Sequence, residues 1–384
     1  MTAVAKRLHT VEEYYFSKKL KAVRALISEG APVINLGIGS PDLPPQPRVV
    51  EALKNSMIDP NAHKYQSYQG LPELRNAISN FYKNNYGISL NPEKEILPLM
   101  GSKEGIMHIS MAYLNEGDAV LIPNPGYPTY SAVTKLMGAK TMFYDLNAES
   151  QWQPNIAKLE ALDLSNVKLM WVNYPHMPTG TLGDTNRLEA LIQFSNRHEI
   201  LLINDNPYSF ILNDNPQSIF NYQGAKACCL ELNSLSKSFN MAGWRVGMLS
   251  GAAHHIKNVL KVKSNMDSGM FYGVQKGAIE ALNTSNDWFD NLNSTYKKRR
   301  NLVWKLASQL GCTYDKNTTG MFVWAKLPNA LDSEEFIDNL LLEKHIFIAP
   351  GTIFGSNGKG YVRFSLCADE NAINEAIIRT NEEY

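Results

Sequence analysis

Hydrophobic and polar positions change period along the chain, and the changes predict its elements. A helical pattern over residues 11–29 ends at Gly30, and a short strand over 33–36 leads into Gly37-Ile-Gly-Ser-Pro-Asp42. A turn containing Pro41, Pro44, Pro45 and Pro47 follows and marks an early domain boundary. Beyond it the pattern alternates. Helical stretches at 71–86, 104–114, 129–137 and 185–198 interleave with short apolar runs at 119–122, 168–172, 201–203 and 227–232. The runs are continuous rather than alternating, as strands covered on both faces should be. This order predicts an α/β fold: a large domain with a mainly parallel sheet between helices. A long helical stretch over 287–310 then gives way to candidate strands at 322–325, 346–348 and 361–365 and a closing helix from Asp369. This tail and the N-terminal segment predict a small α+β domain built from both chain ends, 1–45 with 285–384, around a large domain at 46–284.

Composition narrows the function. At roughly 150 residues per domain, 384 residues accommodate two or three domains. Lys plus Arg and Asp plus Glu number 37 each, so the formal net charge is zero. That balance argues against holding a polyanion by bulk field, and no nucleic-acid partner is expected. No apolar run reaches the roughly 20 residues of a membrane helix, so no membrane partner is expected either. There is no signal-peptide core, and Glu12, Glu13 and Glu29 make residues 11–29 a poor transit peptide. Cys228, Cys229, Cys312 and Cys367 lack metal-ligand spacing and fit reduced thiols in a cytoplasmic protein.

In parallel α/β sheets ligands bind beyond the carboxyl ends of the strands, so the residues after each run matter most. After 201–203 comes Asn204-Asp205-Asn206-Pro-Tyr208. A carboxylate at the end of an apolar strand is costly without a cation or donors, although a turn or cap aspartate is the plainer reading of it alone. After 227–232 comes Asn233-Ser234-Leu-Ser-Lys237-Ser-Phe, then Gly243-Trp-Arg245-Val-Gly247. A lone lysine is usually surface, but this one sits among serines ahead of an arginine between glycines, which suits an anion site with an amine beside it. Met100-Gly-Ser102-Lys103-Glu-Gly105 opens a helix, whose free N–H groups form a phosphate seat, without the spacing of a Walker A loop. Pro123-Asn-Pro-Gly126-Tyr127-Pro-Thr-Tyr130 puts an aromatic ring at a sharp turn. Together these signals describe a phosphate-bearing aromatic cofactor held by a lysine, an aspartate and a stacking ring.

The block Ser234-Leu-Ser-Lys237, with Arg245-x-Gly247 after it and Asp205-x-x-Tyr208 before it, resembles the class I/II aminotransferases among fold-type I pyridoxal-phosphate enzymes. The resemblance extends from Asn35-Leu-Gly-Ile-Gly39 to Tyr361-Val-Arg363-Phe-Ser365 and includes Ala349-Pro-Gly351-x-x-Phe354-Gly355. It implies pyridoxal 5'-phosphate as cofactor, with Lys237 as the Schiff-base lysine, Asp205 as partner of the pyridine nitrogen and Tyr208 beside the ring oxygen. Tyr127 resembles the stacked ring, and Ser102, Lys103, Ser234 and Arg245 match the phosphate cup. Arg363 matches the clamp for the substrate α-carboxylate, with Gly39 near the same group. Tyr65 resembles the tyrosine that reaches the phosphate of a neighbouring subunit, which implies a homodimer with shared active sites. The implied activity is ping-pong transfer of an amino group from an amino acid to a 2-oxo acid. A carbon–sulfur or decarboxylating lyase on the same scaffold, or a cofactor-binding protein without catalysis, is the alternative.

One position departs from the family pattern. Asn173-Tyr-Pro-His176-Met177-Pro-Thr-Gly180 has Met177 where the family usually has an asparagine that donates to the cofactor ring oxygen. A thioether donates nothing, so His176, Asn173, a water or Tyr208 is expected to compensate. For the substrate side chain, Lys103 suits a second carboxylate, whereas Tyr14, Tyr15 and Phe16 suit an aromatic or methionine-like one. The remaining motifs read plainly. Gly37-Ile-Gly39 lacks the third glycine of a dinucleotide fingerprint, and Pro41 would abort its helix. His254 and His255 have no third metal ligand nearby in sequence, and no metal is expected. Residues 297–300 read as a solvated basic face and 355–360 as a surface loop.

Overall fold

The computed structural model describes residues 2–13 and 15–381, apart from the side chains of Lys18 and Ala330. The chain opens with α1 (Tyr15–Ser28), β1 (Ile34–Asn35), α2 (Pro47–Ser56) and α3 (Pro72–Tyr86). Proline at the start of α2 and α3 sacrifices no hydrogen bond, because the first N–H groups of a helix lack intrahelical partners. Alternation follows with β2 (Ile96–Leu99), α4 (Ser102–Tyr113), β3 (Ala119–Asn124), α5 (Pro128–Leu136) and β4 (Lys140–Asp145). It continues through α6 (Ile156–Glu160), β5 (Val167–Val172), α7 (Thr185–Arg197) and β6 (Leu201–Asp205) to α8 (Ala225–Cys228), β7 (Cys229–Ser234) and β8 (Gly247–Gly251). Then come α9 (Ala253–Lys263), α10 (Tyr272–Leu282) and α11 (Asn286–Gln309). The C-terminal part holds β9 (Thr313–Tyr314), β10 (Phe322–Lys326), α12 (Ser333–Lys344), β11 (Ile346–Phe347), β12 (Ala349–Pro350), β13 (Tyr361–Ser365) and α13 (Glu370–Asn381).

Seven strands form one sheet in the order β2-β8-β7-β6-β5-β3-β4. All run parallel except β8, which is antiparallel to both neighbours. The mainly parallel α/β architecture expected from the sequence is therefore present. Its inner strands are buried along their length, and two apolar layers cover its faces, one containing Trp171 and Ile109, the other Met170 and Phe194. Strand β4 lies at an edge and is half exposed, so its Lys-Thr-Met-Phe-Tyr-Asp run carries no continuous apolar signal. A third core gathers α1, α11, β10, β13 and α13. There β1 pairs with β11, Ile34 against Ile346, which joins the two ends of the chain.

Several expectations change at their boundaries. Helix α1 begins at Tyr15 rather than near Val11, and Tyr14 lies outside the described residues. The run from Ala227 becomes the end of α8 and then β7. The strand expected over 346–348 forms only over 346–347 as β11, and β12, which follows at 349–350, belongs to a different sheet. The basic run is not a uniformly solvated face. Arg299 falls on the inward face of α11 with Leu292, Tyr296 and Val303, is 1% exposed, and forks onto Asp42 at 2.7 and 2.9 Å. The 355–360 loop is pinned to the end of β3, where Asn357 Nδ2 donates to Asn124 O at 3.1 Å and to Asp145 Oδ1 at 2.8 Å.

Removing Asp42 would leave the buried Arg299 guanidinium with only Leu366 O and the more distant Glu370. Asp42→Ala is expected to lower the unfolding free energy by roughly 2–3 kcal/mol in urea titrations, as loss of one partner of a buried pair does. The exposed control Asp163→Ala should stay within about 0.5 kcal/mol of the parent.

Candidate active site

The site assembles at the carboxyl ends of the parallel strands. Strand β6 ends in Asp205, buried, with Oδ2 accepting from the Tyr130 hydroxyl at 2.9 Å. Tyr130 is itself fixed by stacking on Trp171, with centroids 4.8 Å apart, and meets the Tyr127 ring edge-on. Asn173 Nδ2 donates to the Asp205 carbonyl. The second carboxylate oxygen, Oδ1, has no protein partner. Burial pushes the Asp205 pKa up to about 6, against the opposing pull of the Tyr130 hydrogen bond and of Lys237.

Strand β7 ends in Ser234, and the turn beyond it places Lys237 with Nζ donating to Gly39 O. Burial lowers the Lys237 pKa to about 8; Arg363 and Arg245 add to the lowering, while Cys367 and Asp205 oppose it. Beside it, Gly101 at φ 90° turns the chain into α4, whose first residues are Ser102 and Lys103. A Cβ on Gly101 would collide with the Arg245 guanidinium, and one on Gly247 would press on Ser102 N, so both glycines keep this helix start open. Ser102 Oγ donates to Asn233 O at 3.3 Å, and Arg245 Nη1 to Ala242 O at 2.9 Å. Burial and then Arg245 lower the Lys103 pKa. Lys103 and Arg245 stand beside the N–H groups at the start of α4, a combination that suits an anion.

Across the cavity, Arg363 on β13 is 4% exposed and lies over the rings of Phe322, Phe354 and Phe16 at 3.9, 4.7 and 5.6 Å. Its Nη2 donates to Gly37 O at 2.8 Å, and its Nη1 lies 3.4 Å from Met177 Sδ. Tyr208 meets Phe322 edge-on, and burial raises its phenol pKa. Met177 thus lies against Arg363. His176 is turned away, with Nδ1 2.8 Å from Thr179 Oγ1 and Nε2 3.2 Å from Pro125 O. Asn173 faces the cavity, but its amide serves Asp205 O and Met177 N–H. Tyr208 also lines the cavity.

These elements enclose a cavity of about 520 Å³. Gly39, Ser102, Lys103, Tyr127, Asp205, Tyr208, Ser234, Lys237, Arg245 and Arg363 all line it. Tyr65 does not; it stands 90% exposed. Tyr130, which fixes Asp205, was within a quoted motif but given no role, although its position three residues after Tyr127 puts both on one side of a helix start. Among the described residues Glu104, His108 and Asp267 bring ligand atoms within 4.8 Å of one another. Lys263 Nζ already binds Asp267 at 2.6 Å, and Glu104 accepts from Met100 N–H, so charge and capping account for that group.

A buried carboxyl group with one oxygen unpartnered among the described residues, a low-pKa lysine and a helix start flanked by cations line one cavity, and together they fit a cationic aromatic nitrogen at one end of a ligand and a phosphate at the other. The sequence matches the family profile for aminotransferase class I and II over residues 31–379, and the chain belongs to that family. It is a pyridoxal 5'-phosphate-dependent aminotransferase. It is 38% identical to LL-diaminopimelate aminotransferase from Halothermothrix orenii, over 98% of this chain and 97% of that protein. It is 37% identical to the enzyme of the same name from Nitratidesulfovibrio vulgaris, over 98% of each. An apo-BacF structure from Bacillus subtilis superposes with a TM-score of 0.95 at 36% identity, covering 99% of this chain and 98% of that one. These relatives do not favour a lyase.

The Asp205 pKa of about 6 in the cofactor-free protein exceeds its ordinary 3.8, so folding favours the protonated carboxyl. Its contribution to stability is complete below the ordinary value and is lost as pH rises through about 6. Asp205→Asn should therefore flatten the fall of Tm across that window in cofactor-free protein, followed by thermal denaturation.

Proposed function

We propose that the enzyme moves the amino group of a dicarboxylic α-amino acid to a 2-oxo acid at this cavity, donor and acceptor binding in turn. The convergence of Lys237, Asp205 Oδ1 and Arg363 on one enclosed space carries the reading. When bound, pyridoxal phosphate supplies a carbonyl carbon for amines and a pyridine ring that draws electrons from the substrate α-carbon. The chain's residues do the rest. Asp205 Oδ1 holds a proton on the ring nitrogen, and that cation compensates the buried carboxylate. Lys237 Nζ is the amine that holds the cofactor; released by substrate, it takes and returns protons at the α-carbon, which its value near 8 suits. Tyr208 donates to the ring oxygen and Tyr127 stacks on the ring face. Ser102, Lys103, Ser234, Arg245 and the start of α4 hold the phosphate. Arg363 forks onto the α-carboxylate, with Gly39 leaving space for it: a Cβ there would strike Phe322.

The division into 1–45 with 285–384 around 46–284 is part of the same proposal, supported by the pairing of β1 with β11 and the separate core around them. The cavity draws on both parts. A homodimer with shared sites is supported by the exposed Tyr65 and by Ile58, Met266 and Phe271, large apolar side chains also left exposed. Gly269 packs against Gln66, which brings the Tyr65 and Met266 segments together. Free cysteines suit a cytoplasmic setting. For the donor we take LL-diaminopimelate, the substrate in the names of the relatives that span the chain, with Lys103 as the cation for its second carboxylate.

Two measurements test this reading. Lys237→Ala should abolish turnover of every donor, while an added amine restores part of the proton transfer; full turnover in the variant would end the assignment. Lys103→Ala should raise KM for LL-diaminopimelate by roughly tenfold more than for alanine, the worth of one charged hydrogen bond. Equal effects on both donors would confine Lys103 to the phosphate.

A further inference from the structure

The strand that leads to Lys237 carries a second buried carboxylate. Glu231, in β7, is 0% exposed. Its Oε1 accepts from the hydroxyls of Tyr82 at 3.0 Å and Ser218 at 2.8 Å. Its Oε2 accepts from Ile219 N–H at 2.8 Å, Asn204 Nδ2 at 3.2 Å and Asn206 Nδ2 at 3.3 Å. The amide orientations are fixed independently. Asn204 Oδ1 accepts from Tyr174 N–H at 3.0 Å, and Asn206 Nδ2 also donates to Gln217 O at 2.9 Å. Both asparagines therefore turn N–H groups toward Glu231, and Oε2 has no place for a proton. Burial pushes its pKa up, and the hydrogen bonds from Ile219, Ser218, Asn204 and Tyr82 oppose that rise. Among the described residues its hydrogen-bond partners include no lysine, arginine or histidine, so neutral donors alone hold the group.

The position of this carboxyl group gives it a use. Asn204 and Asn206 are the residues on either side of Asp205. In the β6–β7 register Asn204 lies opposite Glu231 and Asp205 opposite Leu232. Side chains alternate along a strand, so Glu231 holds Asn204 on the sheet face away from the Asp205 side chain. Asn206 N–H is tied to Leu232 O at 2.7 Å. The same carboxylate reaches the Ser218 turn, and Asn204 passes the connection to Tyr174, next to the Asn173 that donates to Asp205 O. The aspartate is thus clamped through both chain neighbours and through its own carbonyl.

We propose that Glu231 is a positioning residue for Asp205: a buried carboxyl group that locks Asn204 and Asn206 and so fixes the direction in which the Asp205 carboxyl group is presented to the cavity. Glu231 does not line the cavity and acts through Asp205 alone. The proposal rests on the reading of Asp205 as the partner of the ring nitrogen.

The test uses holoprotein and two substitutions. In Glu231→Gln the amide oxygen takes the three N–H groups, while its NH2 donates to the hydroxyl oxygens of Tyr82 and Ser218, both able to accept. Glu231→Ala removes the clamp. Equilibrium dialysis gives the cofactor dissociation constant, and an absorbance titration gives the pH midpoint of the bound cofactor. Leu306→Ala, a cavity in the core around α11, controls for general destabilisation. Glu231→Ala is expected to weaken cofactor binding by roughly tenfold and to move the midpoint, whereas Glu231→Gln stays within about threefold and Leu306→Ala changes neither. If the alanine protein does not fold, Asn206→Ala, which removes one grip, should weaken binding by about threefold. A folded Glu231→Ala protein, or failing that Asn206→Ala, that matches Leu306→Ala in both readouts overturns the proposal. Asp205→Asn in the same assay separates the two levels: wild-type binding by that variant would remove the Asp205 reading itself.

Discussion

A carboxylate buried with one oxygen unpartnered is the constraint on which this site depends. Asp205 has given up water for a single hydroxyl, from Tyr130, its Oδ1 has no partner among the described residues, and the residue lines a cavity. Taken out of water, such a group turns neutral or demands a cation. The protein alone provides the first outcome, with the carboxyl shifted toward protonation. A protonated ring nitrogen provides the second. Such an aspartate suits one ligand chemistry, and Tyr130, stacked on Trp171, holds its Oδ2.

The fold makes the receptor possible by bringing strand ends together. Parallel strands β3, β5, β6 and β7 deliver Tyr127, Asn173, Asp205 and Lys237 to one edge of the sheet, although these residues are far apart in sequence. Gly101 and Gly247 admit an anion at the start of α4 because a side chain at either would fill the seat. A further cation comes from elsewhere. Arg363 lies on a different sheet, held by Gly37 O and a cage of aromatic rings, and faces the lysine across the cavity. Zero net charge over the whole chain is compatible with this, since a few cations, buried Arg363 and the more exposed Lys103 and Arg245 among them, are gathered at one cavity.

Much of this was legible in the sequence because buried parallel strands leave continuous apolar runs, and a charged residue at the end of one stands out. Asp205 and Lys237 were found that way. The same signal was present at Glu231, inside a run of Cys, Leu and Leu, yet a mid-strand carboxylate gives no hint of the donors brought to it from α3 and the Ser218 turn. Edge strand β4 and the glycine-bounded β8 went unread because neither carries a long apolar run. Pro47 read as part of a turn, and it opens α2, where a missing N–H costs nothing. Arg299 read as surface until the period of α11 placed it inward against Asp42. Met177 was visible as a departure from the family pattern, but its contact with Arg363 depends on how distant segments meet.

The protonation state of the cofactor's ring nitrogen tests this account most directly. Nitrogen-15 NMR of holoprotein carrying labelled cofactor would read it at neutral pH. The buried, half-partnered Asp205 predicts a protonated nitrogen that persists well above the pH at which the free cofactor's ring loses its proton. An unprotonated nitrogen in the intact enzyme would contradict the account, because the carboxylate would then lie buried with no charge to answer it.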